Sequence, residues 1–363
     1  MDDTELGTNE KGKEPSLSLI EQARFNDQKH SLYWFVSGGR NAVDKGSWYH
    51  LKHKFVNGRA IPCTVEEINE RLETRASFSE DKVPVPQLEV DVAHKTLGCW
   101  VCPLLNQSKQ VEELKKLCVK WVQRVTGSFL QAREKILAYN SVLLKQLEYR
   151  LPTTCLTKDD CDEIMSIYFP TICHGYHIHK NFNRKLICAS KKYGGLGFTH
   201  LYDLMGQWKT KFLVKHLRRN DKTGKLFRIS LEFTQMELGT KEPFYNLNFY
   251  DCKKIVTPTW LTHLWQYWTD ANIKPEISNM WTYHVERTND VFLMDLLRSG
   301  VKDDNALVQL NLCRMQLGVI TLSDIVSLSG DKLLPNIHEG KNMRKSKFFA
   351  QAKSTGLLVD TMV

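Results

Sequence analysis

Val111-Glu112-Glu113-Leu114-Lys115-Lys116-Leu117-Cys118-Val119-Lys120-Trp121-Val122-Gln123-Arg124-Val125 is where the apolar period of this chain turns helical. Val111, Leu114, Cys118, Trp121 and Val125 recur three and four residues apart, which places one apolar stripe on a helix. Leu130, Ile136, Tyr139, Leu143 and Leu147 carry the same repeat. Leu156 to Phe169 follows. Thr157 opens it as an N-cap, and Asp159 and Asp160 occupy the first turn, where the helix dipole favours anions. Asp162 stands nearby, but carboxylates at a helix start are read as capping rather than as a two-metal pair, which needs a strand turn. Three helices with short connections predict a small bundle over 104–172.

Working outward, the period changes. From Trp48 to Val56, Tyr49, Leu51 and Phe55 alternate with His50, Lys52 and Lys54, which predicts a half-buried strand with a basic outer face. Asn57-Gly58 is a hairpin signal. Thr64 and Glu67 form a capping-box pattern for a short helix over 64–73. Residues 76–92, with Pro84 and Pro86, read as a loop, and Thr96 to Val101 as another strand. Upstream, a helical pattern over 17–36 is broken by Ser37-Gly38-Gly39, and 1–16 reads as a disordered leader. Downstream, 173–198 is linker-like. Leu201 to Arg219 is strongly amphipathic through Leu201, Leu204, Met205, Trp208, Phe212, Leu213 and His216, with Trp208 and Phe212 expected in the core. The pattern stays mostly helical to 335, its tryptophans read as core, and 336–363 form a flexible basic tail. The expected class is α+β, predominantly α-helical. It divides into a β-bearing region (17–103), a three-helix unit (104–172) and a basic helical C-terminal domain (173–335).

Composition is that of a chain able to bury real cores: 363 residues, 42% apolar, a quarter charged. Ten cysteines are scattered through it, and the acidic start Met1-Asp2-Asp3-Thr4-Glu5 is unlike a secretory signal. Reduced thiols in an intracellular setting, nucleus or cytoplasm, are expected. No apolar run reaches the length of a membrane span, so no membrane association is expected.

The net charge of +9 is unevenly spread. Between Lys180 and Arg228 stand thirteen Lys/Arg against two acids, Asp203 and Asp221. That local excess of eleven exceeds the whole chain's, so everything outside it is slightly acidic in sum. Phe182, Tyr193, Phe198, Tyr202 and Trp208 interleave with the cations, a composition suited to phosphate neutralisation and base stacking. The candidate contacts are Lys180, Arg184, Lys185, Lys191, Lys192, Lys209, Lys211, Lys215, Arg218 and Arg219. A merely solvated basic face is the competing reading.

Two cysteine patterns carry donor types that bind metal. Cys99 and Cys102 lack a second pair at matching spacing, and Pro103-Leu104-Leu105-Asn106 reads as a turn, so they are read as two plain thiols. Cys173, His174, His177 and His179 have the donors for zinc but no evident supporting shell, and are read as a basic, polar loop. No metal or cofactor is expected.

In order along the chain, several blocks resemble the region downstream of the catalytic palm in non-LTR (LINE-like) retrotransposon reverse transcriptases. They are Ser37-Gly38-Gly39 with Trp48-Tyr49, Lys95-Thr96-Leu97-Gly98, Leu143 to Tyr149, Leu156-Thr157 to Met165, and Tyr193-Gly194-Gly195-Leu196-Gly197 with His200-Leu201. Thr259-Trp260-Leu261 with Leu264-Trp265, Arg287 with Asp290, and Asn311-Leu312-Cys313-Arg314 running into Ile320 to Ile325 complete the series. It spans roughly 17–330.

The resemblance implies a palm remnant with a primer-grip-like hairpin at Leu97, Gly98 and Trp100, then a thumb-like unit and a downstream domain. It also implies RNA or DNA, as a hybrid or a single strand, for a partner. Lys45 would be the vestigial loop lysine near the incoming triphosphate, where it acts as an acid toward pyrophosphate. No Tyr/Phe-x-Asp-Asp strand occurs in the 363 residues. The chain is therefore expected to bind nucleic acid non-specifically without polymerising. Two further readings stay open: the thumb and C-terminal part of an RNA-directed DNA polymerase whose palm is supplied elsewhere, or a non-functional remnant. A missing palm would expose Trp34, Phe35, Trp48 and Trp100 as a surface for association.

Overall fold

The computed structural model describes residues 46–327, apart from 51, 57, 58, 69, 70, 78, 79, 279–282, 284 and 286. The expected leader, the helix over 17–36 with Trp34 and Phe35, the glycine loop with Lys45, and the tail over 336–363 lie outside the described residues. What is described is α+β and mostly helical. No described helix is long and apolar enough to cross a membrane. The chain divides into two compact units between Gln110 and Val111.

The first unit carries three antiparallel two-stranded ribbons. β1 (His53–Val56) pairs with β2 (Arg59–Pro62), and Val56 faces Arg59, so the connection is the two-residue one that Asn57-Gly58 predicts. α1 (Val65–Ile68) starts with the Thr64 amide donating to Glu67 Oε2 at 3.0 Å, as the capping pattern requires. It ends earlier than expected, because Leu72 already belongs to β3 (Leu72–Thr74). β3 pairs with β4 (Val83–Val85), inside the segment expected as a loop. Pro84 stands opposite Glu73 there; a two-stranded ribbon leaves one side of each strand unpaired, so a missing N–H is tolerated.

Thr96 to Val101, expected as one strand, is instead the turn and second arm of a hairpin. β5 (His94–Thr96) reverses into β6 (Cys99–Val101) through Leu97 at φ 49° and Gly98 at φ 85°. Two left-handed central residues match the twist of the flanking strands. Trp48 and Trp100 are half-buried rather than exposed, which corrects the expected association surface at these two positions. Trp48 Nε1 donates to Val85 O at 3.1 Å, and the Trp100 amide donates to Gln110 Oε1 at 2.7 Å.

The division falls within the first turn of α2 (Ser108–Thr126), and the second unit takes the helix from Val111 onward. α3 (Ala132–Ala138) continues through a π-helical turn, Tyr139–Leu143, into α4 (Leu144–Arg150). α5 (Lys158–Gly175) has the expected cap: Thr157 Oγ1 accepts from the Asp160 amide at 3.1 Å, and Asp160 Oδ2 accepts from the Thr157 amide at 2.9 Å. Then come α6 (Arg184–Cys188), α7 (Leu201–Arg219), α8 (Lys222–Leu238), α9 (Phe249–Cys252), α10 (Trp260–Asp270), α11 (Leu293–Gly300) and α12 (Asp304–Leu317).

One apolar cluster runs from Val111 to Val326 through Leu114, Leu147, Ile164, Leu201, Trp265 and Leu310. That cluster is continuous across positions 172 and 173. α5 passes through both, and the supposed linker buries Ile187 and Phe198, the latter with its ring centroid 5.4 Å from that of Tyr139. The helices before 173 and the helices after it share a single core.

Candidate nucleic-acid interface

α7 is positioned from both ends. His200 Nδ1 accepts from the Tyr202 amide at 3.2 Å, Asp203 lies in the first turn, and Arg218 and Arg219 lie in the last, where cations oppose the carbonyl end of the dipole. Asn220 closes the helix at φ 50°. Asp221 then starts α8, with Oδ1 accepting from the Gly224 amide at 2.8 Å and Oδ2 lying 2.7 Å from His216 Nδ1. The Gly224 N–H, and after it His216, hold this carboxyl below the usual carboxylate range. One of the two acids in the basic span is thus occupied as a cap.

At about 100° per residue, Lys211, Lys215 and Arg218 fall within roughly 60° of one another on α7. All three are exposed, as is Arg219 beside them. Among the described residues no carboxylate pairs with Lys211, Lys215 or Arg218. Trp208, half-buried, lies on the same side, and Lys211 Nζ sits 4.8 Å from its ring centroid. Phe212, expected in the core, is 38% exposed and packs edge-on against Phe227 at 5.8 Å between centroids.

Lys209 does not belong to this face. It is fully buried, which corrects its expected role as a phosphate contact. It stands four residues from Met205 and from Leu213, so helical spacing carries it onto their buried side. Its Nζ lies 3.2 Å from His263 Nδ1, 3.4 Å from Cys155 Sγ and 5.1 Å from the Trp260 ring centroid. His263 Nε2 is 2.7 Å from Leu156 O and donates to it, which leaves Nδ1 as the acceptor for Lys209. Burial pulls the Lys209 amine down to about 8, and burial followed by the nearby Lys209 charge pushes His263 down to about 3. This cluster was missed in the sequence because the charge count took every cation as exposed; the i, i+4 spacing to Met205 and Leu213 was the available signal.

The remaining candidates form a second group. Lys180, Arg184, Lys185, Lys191 and Lys192 are all exposed on the segment leading into α7. Arg184 is partly engaged, 3.7 Å from Asp162 and 5.4 Å from the Phe169 ring centroid. Lys192 lies 5.8 Å from the Tyr193 ring, which is 79% exposed. This group precedes the N-terminus of α7, whereas the cationic stripe lies about 15–25 Å along the helix from that end.

Leu97, at the hairpin tip, is 85% exposed, while Trp100 has Lys109 Nζ 5.5 Å from its ring centroid. Cys173 is buried in the last turn of α5, whereas His174, His177 and His179 are exposed, and the four are not brought to one point. No family model matches the chain, and no curated protein or solved structure is similar to it.

Proposed function

We propose that this chain binds RNA or DNA without sequence specificity through the exposed face of α7, as a non-catalytic, thumb-type derivative of a non-LTR retrotransposon reverse transcriptase. The observation that carries this reading is the stripe of Lys211, Lys215 and Arg218. These cations share one exposed side, have no carboxylate partner among the described residues, and stand beside Trp208. Neutralising three phosphates would contribute about 2.7 to the slope of log affinity against log salt on duplex DNA. The ordered blocks support the descent. Ten free thiols support an intracellular setting, nucleus or cytoplasm. Polymerisation would need palm aspartates supplied from elsewhere, because no Tyr/Phe-x-Asp-Asp strand occurs in the sequence.

The test is fluorescence anisotropy with a labelled primer–template hybrid, single-stranded RNA and duplex DNA over a salt series. The triple variant Lys211→Glu, Lys215→Glu, Arg218→Glu should bind at least tenfold more weakly and show a flatter salt slope. Equal affinity and slope in that variant would remove α7 as the interface. Lys180→Glu with Lys185→Glu measures the share of the second group.

A further inference from the structure

The buried side of α7 holds an amine beside a thiol. Lys209 is enclosed, and around its Nζ stand the neutral Nδ1 of His263, the Trp260 ring and the Sγ of Cys155. Cys155 itself is only half-buried, whereas the amine is enclosed on its inner side. Sγ and Nζ are 3.4 Å apart, close enough for a bond to form with a small side-chain movement.

We propose that Cys155 and Lys209 form a reversible sulfur–nitrogen cross-link when the thiol is oxidised by hydrogen peroxide. In the first step the Cys155 sulfur attacks one peroxide oxygen. The O–O bond breaks, the sulfur becomes a sulfenic acid, and water leaves. In the second step the neutral Lys209 amine attacks that sulfur. An S–N bond forms, the S–O bond breaks, and the departing hydroxyl leaves as water with a proton from the amine. Sulfur is oxidised by two electrons, peroxide is reduced to water, and the protein loses two hydrogens in all. A thiol reductant reverses the link by attacking sulfur and releasing the amine.

Three features favour this outcome over further oxidation of the sulfur. The amine is held by His263, whose Nδ1 accepts one N–H and leaves the nitrogen lone pair available to the sulfur. Burial lowers the proton affinity of Lys209 toward neutrality, so a sizeable share is uncharged in mildly alkaline solution. The nucleophile is also intramolecular, which gives it a high effective concentration over solvent competitors.

The experiment treats the full-length protein with hydrogen peroxide, blocks free thiols, digests it, and reads the peptides by tandem mass spectrometry. The expected product is a joined pair of peptides carrying Cys155 and Lys209, about 2 Da lighter than their sum and separated again by dithiothreitol. In Lys209→Arg and Lys209→Met the pair should vanish, and Cys155 should instead accumulate as a dimedone-reactive sulfenic or a sulfinic acid. Wild-type protein in which oxidised Cys155 is found only as sulfinic acid, or in a disulfide, overturns the proposal. That result needs no variant, so a poorly folding substitution does not blunt the test.

Discussion

Replacing Lys209 by Met should stabilise the second unit, and the gain should disappear in alkali. Lys209 is fully enclosed and its polar neighbours are neutral: an imidazole nitrogen and a thiol. Its pKa falls from 10.5 to about 8 on folding, chiefly through burial. At about 1.4 kcal/mol per unit, holding the ammonium inside costs about 3 kcal/mol near neutral pH. The unfolded chain binds the extra proton between pH 8 and 10.5, so wild-type stability rises with pH across that window and the penalty is gone above it. Met keeps most of the side-chain volume and has no proton to lose. It leaves His263 Nδ1 without its donor, an offset of about 1–2 kcal/mol. The variant should therefore be more stable than wild type by about 1–2 kcal/mol near neutrality and less stable by about 1–2 kcal/mol above the window. Urea denaturation followed by tryptophan fluorescence at several pH values reads this directly. The difference between the two proteins is the quantity to use, since other titrating groups cancel in it. A difference that stays constant from neutral pH to 10.5 would refute the account of Lys209 as a buried, unbalanced cation.

Other substitutions probe the frame around the site. Wild-type stability should fall as pH drops from 6.5 toward 3, because the unfolded chain protonates His263 while the folded one keeps it neutral; His263→Gln should flatten that slope in acid urea titrations. Gly206→Ala should cost about 1–3 kcal/mol, since a Cβ there would lie 2.3 Å from the Tyr267 ring where α7 meets α10; a thermal melt unchanged from wild type would contradict that contact. Arg314→Met should cost about 3–5 kcal/mol by leaving the carbonyls of Met236, Glu237 and Val319 without their guanidinium donor, again read by urea melts. Leu97→Gly should stabilise the β5–β6 hairpin by about 1 kcal/mol by removing a Cβ from a left-handed turn position, seen as slower amide exchange across that hairpin.

Much of the helical frame was legible because its signals agree with one another. α7 runs from Leu201 to Arg219 as expected: its apolar spacing, its acid in the first turn and its cations in the last all mark the same element. The Thr157 cap of α5 was equally readable. The first unit was harder. Pro84 reads as a loop residue in sequence, yet a two-stranded ribbon has room for it, and pairing with Glu73 is a partnership that no local pattern announces. Leu97 disguised the β5–β6 reversal because leucine rarely takes a positive φ, so the stretch read as one extended strand. The linker-like reading of 173–198 has a different origin. The polar and glycine-rich composition of 173–198 does describe its exposed side, but Cys173, Ile187 and Phe198 fix the segment to the core, with Tyr176, Cys188 and Leu196 packed against it, at spacings too irregular to create a periodic signal.

The cationic span shows why charge count and charge presentation are separate properties. Counting picked out a span in which nearly all of the candidate cations are exposed. It could not sort them, because exposure on α7 depends on angle: Lys211, Lys215 and Arg218 share one side, while Lys209 falls with Met205 and Leu213 on the other. The same helix thus turns one set of cations toward solvent, where phosphates can reach them, and encloses another amine beside His263 and Cys155, where they cannot. The two faces make opposite demands on salt. Binding through the outer stripe should weaken steeply as ionic strength rises, whereas the stability penalty of Lys209, screened by protein rather than by water, should barely change. Measuring both in the same salt series separates the two roles of α7 without altering a single residue.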